Sequence, residues 1–104
     1  MSGTRSRLLV SETTRAVLPR HVRLRHDAVR DRWVLLAPER VLMPDEAAVE
    51  VLQLCDGART VGEIVDGLAA KYAAPREEIA ADIVAMLQDL ADKAFLGDGA
   101  ALTT

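Results

Sequence analysis

The sequence has few of the residues on which most enzymes and cofactor sites depend. Among its 104 residues are one cysteine, two histidines and three aromatic residues. A single cysteine, Cys55, excludes an internal disulfide and a cysteine-rich zinc site, and it is typical of a protein from a reducing cytoplasm. Three aromatic residues are too few for the stacking platform of single-stranded nucleic-acid binders. We therefore expect a cytoplasmic protein without such sites.

Long apolar runs and glycine-rich loops are also missing. No run approaches the roughly 20 residues that cross a bilayer, and the six glycines form no phosphate-binding motif. His21 and His26 have no further ligands at metal spacing, and Cys55 has no identifiable base to activate it. The sequence thus predicts no enzyme, no metal site and no bound cofactor.

The charges are divided unevenly along the chain. Residues 1–30 contain seven arginines and two carboxylates, whereas the remainder is acidic and brings the net charge to −3. Residues 1–19 mix Ser, Thr and Arg with isolated apolar residues and show no sustained period. We interpret them as a flexible leader or as a linker from a larger chain. Their arginines leave open a nucleic-acid-binding role.

Hydrophobic patterning predicts a three-stranded antiparallel meander in the first half of the chain. Apolar residues alternate with arginines over residues 22–26, and residues 33–37 are rich in strand formers. A Pro-Glu turn at 38–39 reverses the chain. Residues 41–43 then form a third strand, which Pro44 ends because proline cannot donate to a ladder. The outer edge of this strand would be free to pair with another chain.

The period of the apolar residues then changes to that of helices. The first helix is predicted to start near Asp45, a suitable cap, and to end at Asp56-Gly57. Thr60 and Glu63 form a capping box, which predicts the start of a second helix. The sequence therefore indicates an α+β chain in which a three-stranded antiparallel sheet is followed by three helices.

The third predicted helix begins at Pro75 and runs to about Lys93. Its apolar arc is about 160° wide, whereas a helix packed on one neighbour needs only ~100°. Either the helix is buried between two neighbours, or part of the arc faces a groove that binds a ligand. Two basic and five acidic residues lie on this helix, the opposite sign to that of a DNA recognition helix. The arc in question contains Ala80, Val84, Leu87 and Ala91.

A free strand edge beside a wide apolar helix face favours a peptide-binding module. An extended peptide would add to the third strand as a fourth strand and place its side chains against the third helix. Two alternatives stay open at this stage. One is a winged-helix nucleic-acid-binding regulator, and the other is a dimer that pairs or exchanges the same edge.

Four stretches of the chain together resemble the PqqD family of pyrroloquinoline quinone (PQQ) biosynthesis. The resemblance covers about residues 18–97. One departure is Ala94, where the family pattern leads us to expect glycine, so that the end of the last helix could shift to Gly97. The matching stretches are WVLLAPERV at 33–41, LCDG at 54–57, TVGEIV at 60–65 and LQDLADK at 87–93.

The resemblance implies a fold and a function. It implies a winged-helix-like domain over residues 20–97, between the leader 1–19 and a flexible tail 98–104. It also implies a peptide chaperone, a recognition element for ribosomally made peptides, that binds the precursor peptide PqqA and presents it to the radical-SAM enzyme PqqE. Such an adaptor is expected to be no enzyme, to need no cofactor or metal, to bind neither nucleic acid nor membrane, and to be a monomer or a weak or domain-swapped dimer. By this resemblance the peptide-binding residues would be Arg40, Val41, Leu42, Met43, Ala80, Ile83, Val84, Leu87 and Ala91.

Overall fold

The computed structural model describes residues 8–99, in which five strands and three helices follow one another. Two of the strands contain only two residues each. In chain order the elements are β1 (Ala16–Val17), β2 (Arg23–Asp27), β3 (Arg32–Ala37), β4 (Arg40–Leu42), α1 (Glu46–Gln53), α2 (Val61–Tyr72), α3 (Arg76–Asp92) and β5 (Gly97–Asp98).

The predicted meander is confirmed. Strands β2, β3 and β4 form an antiparallel sheet in that order. Leu24 pairs with Leu35, and Leu35 pairs with Leu42, so these three side chains share one face of the sheet. This face covers the helices, because Leu35 is fully buried in the core. The predicted α+β, winged-helix-like order of sheet and helices is therefore correct.

Local capping signals fix the starts of the first two helices as predicted. The Asp45 carboxylate accepts a hydrogen bond from the Ala48 amide, 2.8 Å away. Thr60 and Glu63 form both hydrogen bonds of a capping box. The end of α1 differs from the prediction, because the helix stops at Gln53 and Cys55 lies beyond it. Cys55 is nevertheless buried, which is common for a free cysteine.

Residues 8–19, hereafter the N-terminal segment, correct the prediction of a flexible leader. Val10 and Ala16 of this segment belong to the hydrophobic core, and β1 pairs with β5. The carbonyl groups of Glu12 and Thr14 accept hydrogen bonds from Gly62 and Val61, each at 2.8 Å. They thereby satisfy amides at the start of α2 that have no partner within the helix.

The termini of the chain fall outside this description. Residues 1–7 of the predicted leader and residues 100–104 of the predicted tail lie outside the described residues. The remaining part of the predicted tail differs from the expectation, because Asp98 pairs with Ala16 in the small β1–β5 sheet. The β1–β5 pairing thus joins the two ends of the described part of the chain.

Helix α3 ends close to the predicted position. The turn that ends it has a conformation that suits glycine better than the alanine found there. The Phe95 amide donates to the Leu90 carbonyl at 2.9 Å, and the Ala94 amide donates to the Ala91 carbonyl at 3.0 Å. These are the two hydrogen bonds of a Schellman motif. Ala94 has a φ of 67°, a left-handed conformation that is unfavourable for a residue with a Cβ. The helix therefore does not extend to Gly97.

We expect the substitution Ala94→Gly to stabilise the protein. Glycine adopts the left-handed conformation without the steric cost that alanine meets, so the free energy of unfolding should rise by about 0.5–1 kcal/mol. Urea unfolding followed by circular dichroism measures this change. Ala81→Gly, at an exposed position inside α3, is the control and should lower stability by about 1 kcal/mol. Destabilisation by both substitutions would contradict the assigned helix end.

Candidate peptide-binding site

A groove lies between β4 and α3 and is mainly apolar. It encloses a cavity of about 190 Å³, and we call it the β4–α3 groove. Strands β3 and β4 supply one wall, α1 the floor and α3 the other wall. Its lining residues are Leu35, Leu42, Met43, Pro44, Ala48, Leu52, Met86, Asp89 and Leu90.

The outer edge of β4 is open beside this groove. Within residues 8–99, β4 pairs with β3 and with no other strand. Val41 and Met43, at this edge, are 58% and 62% exposed. Leu42 lies between them and turns into the groove, because neighbouring side chains of a strand point to opposite faces. An unpaired edge of this kind can accept an extended chain as an additional strand.

Arg40 connects β4 to the end of α3. Its Nη2 group donates a hydrogen bond to the Lys93 carbonyl, and its guanidinium carbon lies 4.7 Å from the centroid of the Phe95 ring. A cation is favourable both at the C-terminus of a helix and over an aromatic face. Arg40 therefore holds the two walls of the groove together at this end, in addition to any contact with a peptide.

The α3 residues suggested by the resemblance lie mostly away from the open groove. Leu87 is fully buried and Ile83 is 5% exposed, so both are core residues. Ala80, Val84 and Ala91 are half-buried and pack against the core. The structure brings the β4 residues to an open edge, but it does not bring these five residues to the same opening.

The N-terminal segment covers one side of the wide apolar arc of α3, whose neighbour the sequence does not identify. Gln88 of α3 accepts a hydrogen bond from the Val10 amide and donates one to the Leu8 carbonyl, both at 2.8 Å. Val84 and Ala91 lie four residues before and three residues after Gln88, on the same side of the helix. The wide apolar arc of α3 is therefore occupied on this side by the chain itself.

Three residues of α3 that face the groove were not predicted as binding residues. Met86, Asp89 and Leu90 line the cavity opposite Leu42 and Met43. Met86 and Leu90 stand within the predicted apolar arc, but the sequence does not say which side of that arc is open. Asp89 is the sequence feature that could have located the open side of the arc, since a carboxylate next to apolar residues marks the boundary between core and solvent.

A second, larger cavity lies between α1 and α2, along the same side of α3 as the groove. Its volume is about 420 Å³. The apolar part includes Val51 of α1 and Leu68 of α2, together with Ile83. Ile83 thus contributes to a cavity, although not to the one beside β4. The remaining lining residues are Glu46, Ala47, Glu50, Tyr72, Ile79 and Asp82.

The Asp, Glu and His side chains of residues 8–99 do not gather into a metal site, and the Cys55 thiol is buried. No group of three or more His, Cys, Asp or Glu side chains in residues 8–99 could hold a metal ion. Burial raises the pKa of the Cys55 thiol to about 12, so this thiol stays protonated at neutral pH and is a poor nucleophile. Over the same residues, no helix is long and apolar enough to span a membrane.

Comparison with known proteins identifies the family. Residues 32–96 match the family model described as "Coenzyme PQQ synthesis protein D (PqqD)". A Rhodopseudomonas palustris protein called "PqqA binding protein" is 69% identical over 90 residues, which are 86% of this chain and 88% of that protein.

Two solved structures have the same fold. One is the PqqD truncation of Methylobacterium extorquens PqqCD, described as a functional, stand-alone recognition element for ribosomally synthesised and modified peptides. It is 50% identical to this chain and superposes with a TM-score of 0.68 over 79% of this chain and 87% of that one. The other is PqqD from Xanthomonas campestris, which is 42% identical, with a TM-score of 0.53 over 76% of this chain and 88% of that one. The chain described here therefore belongs to the PqqD family of coenzyme PQQ synthesis proteins.

Proposed function

We propose that this chain is a PqqA-binding adaptor of PQQ biosynthesis, which holds the precursor peptide along β4 and presents it to the radical-SAM enzyme PqqE. The observation that carries the proposal is the unpaired edge of β4 beside the β4–α3 groove. The name of the R. palustris relative, "PqqA binding protein", supports the choice of peptide. A single, reduced cysteine fits a cytoplasmic site of action.

The binding mechanism follows from the two kinds of surface that the groove offers. Backbone groups of β4 would pair with the backbone of the peptide, which gives affinity without depending on sequence. Leu42, Met86 and Leu90 would bury alternate side chains of the added strand, which gives selectivity. Together these contacts offset the entropy that a flexible peptide loses on ordering.

Presentation would then act through concentration and not through catalysis by this chain. A peptide held on an adaptor that also contacts PqqE reaches the enzyme as part of one assembly, so its effective concentration near the active site rises. The chemical step and its iron–sulfur cluster would belong to PqqE. In this proposal no residue of the adaptor touches the reacting atoms.

Calorimetric titration with synthetic PqqA tests the first part of the proposal. We expect saturable binding with one peptide per chain, and no binding of duplex DNA at low ionic strength, because α3 carries more acidic than basic residues. Light scattering in the same buffer shows whether the chain dimerises, as it would if a second copy paired with the β4 edge. Absence of PqqA binding would contradict the proposal, as would binding of DNA in its place.

The second part is tested by PqqE turnover at limiting PqqA. We expect the modified peptide to form faster when this chain is present, and we expect the effect to disappear when PqqA is saturating. An unchanged rate at limiting peptide, with PqqA binding intact, would leave the chain a PqqA binder but contradict presentation.

A further inference from the structure

The second cavity lies further along α3 than the β4–α3 groove, and α1 lines both. Ala48 and Leu52 of α1 line the groove, and their neighbours Ala47 and Val51 line the second cavity. On α3, Ile79 and Ile83 precede Met86 and Leu90 by seven residues, or about two turns, so they share one side of the helix. Pro44 lines the groove and Glu46, two residues later, lines the second cavity, so a chain that follows β4 beyond Pro44 comes to the rim of this cavity.

The rim of the second cavity is acidic. Glu46, Glu50 and Asp82 line it, and no lysine or arginine does. Glu50 is already engaged, because Lys71 and Tyr72 donate hydrogen bonds to its carboxylate and lower its pKa. In the part of the chain described here, Glu46 and Asp82 have neither a hydrogen-bond partner nor an ion-pair partner for their carboxylates.

An apolar cavity with unpaired carboxylates at its rim suits an apolar side chain that has a basic side chain next to it. The floor of the cavity contains Val51, Leu68, Ile79 and Ile83. The cavity, at about 420 Å³, has room for a large aliphatic or aromatic side chain. A cation placed at the rim would meet Glu46 and Asp82, whereas an acidic residue would be repelled. The complementary ligand is thus apolar with a positive charge next to it.

We propose that the second cavity is a subsite for the same peptide and selects a large apolar residue adjacent to a lysine or arginine. This inference rests on the proposed function, since the peptide must first be held along β4. It goes beyond that function by naming the residue chemistry that the adaptor selects. The carboxylates of Glu46 and Asp82 are the groups that pair with the positive charge of this lysine or arginine.

Charge-neutral variants of the rim test the subsite. With synthetic PqqA as the probe, we expect Glu46→Gln and Asp82→Asn each to weaken binding about three- to fivefold, the range of a partly exposed ion pair. Glu77→Gln is a matched control for Glu46→Gln. Both glutamates stand in the first turn of a helix, so both variants lose the same favourable dipole interaction, but Glu77 lies about 200° around α3 from Ile79. Its affinity for PqqA should not change.

A second peptide identifies the partner of these carboxylates. In this peptide every lysine and arginine of PqqA is replaced by glutamine. We expect it to bind the wild-type protein more weakly than PqqA does, and we expect the rim variants to bind it as tightly as the wild type does. Equal binding of PqqA by the wild type and by both rim variants would overturn the subsite.

Two further results would also count against the inference. If Glu77→Gln weakens binding as much as the rim variants do, the effect is one of overall charge and not of a subsite. If the rim variants weaken binding of the glutamine peptide as well, the carboxylates do not pair with a peptide cation. Failure of the wild type to bind PqqA at all would instead overturn the proposed function, and the subsite with it.

Discussion

Removal of residues 1–18 is expected to lower the free energy of unfolding by about 3–5 kcal/mol, because two core side chains and several tertiary hydrogen bonds are lost together. Val10 and Ala16 are 8% and 0% exposed. Their loss opens the core beside α2 and α3. Such a loss is a large part of the stability of a domain of this size.

The hydrogen bonds of the N-terminal segment make the effect larger than burial alone would. Gly62 and Val61 would lose the carbonyl partners that Glu12 and Thr14 provide at the start of α2. Gln88 would lose both of its partners in this segment, Leu8 and Val10. Each hydrogen bond lost contributes about 1 kcal/mol net, so the start of α2 and the last turns of α3 should loosen first.

Urea unfolding of three chains measures this effect. The full chain is compared with one that lacks residues 1–7 and with one that lacks residues 1–18. The shorter deletion keeps every contact of the N-terminal segment described above, so the difference between the two deletions reports residues 8–18 alone. Equal stability of the two deletion variants would contradict the assignment of this segment to the folded domain.

The substitution Met43→Asp is expected to weaken PqqA binding at least tenfold, which corresponds to about 1.4 kcal/mol. Met43 lines the β4–α3 groove together with Asp89. Because Met43 is 62% exposed, a carboxylate at this position would place a charge at the rim of a mainly apolar groove. If the new carboxylate turns towards Arg32, which donates to the Met43 sulfur at 3.1 Å, the apolar surface of Met43 is still lost to the peptide.

The matched control for Met43→Asp is Val29→Asp. Val29 is 94% exposed in the turn between β2 and β3, and it is not among the lining residues of the groove. Neither substitution changes a buried residue, so both variants should unfold within about 0.5 kcal/mol of the wild type. Calorimetric titration of both variants with PqqA provides the comparison. Equal affinities would mean that the peptide does not use this groove.

Side-chain signals near helix starts and turns made much of the fold predictable. Thr60 and Glu63 cap α2 through their own side chains, and the Pro38-Glu39 turn joins β3 to β4, so each feature can be read from a few neighbouring residues. The three-stranded sheet and the starts of the helices follow from such local rules. The open edge of β4 follows in turn from its position as the last strand of the meander.

The N-terminal segment could not be predicted in the same way. It contacts α2 through the backbone carbonyls of Glu12 and Thr14, which every residue type possesses, and its strand β1 has only two residues. No period in the sequence reveals such contacts. The sequence therefore leaves open whether the wide arc of α3 is covered or faces a groove. The family resemblance gives Leu87 a binding role, whereas the structure has it in the core.

Isotope-edited NMR of the full chain during titration with PqqA tests most directly whether this protein is a peptide adaptor that uses the edge of β4. We expect the amide resonances of Val41, Leu42 and Met43 to shift together with those of Met86 and Asp89 on the opposite wall. Shifts confined to residues 8–19, or to the Arg23–Asp27 edge of the sheet, would contradict the account.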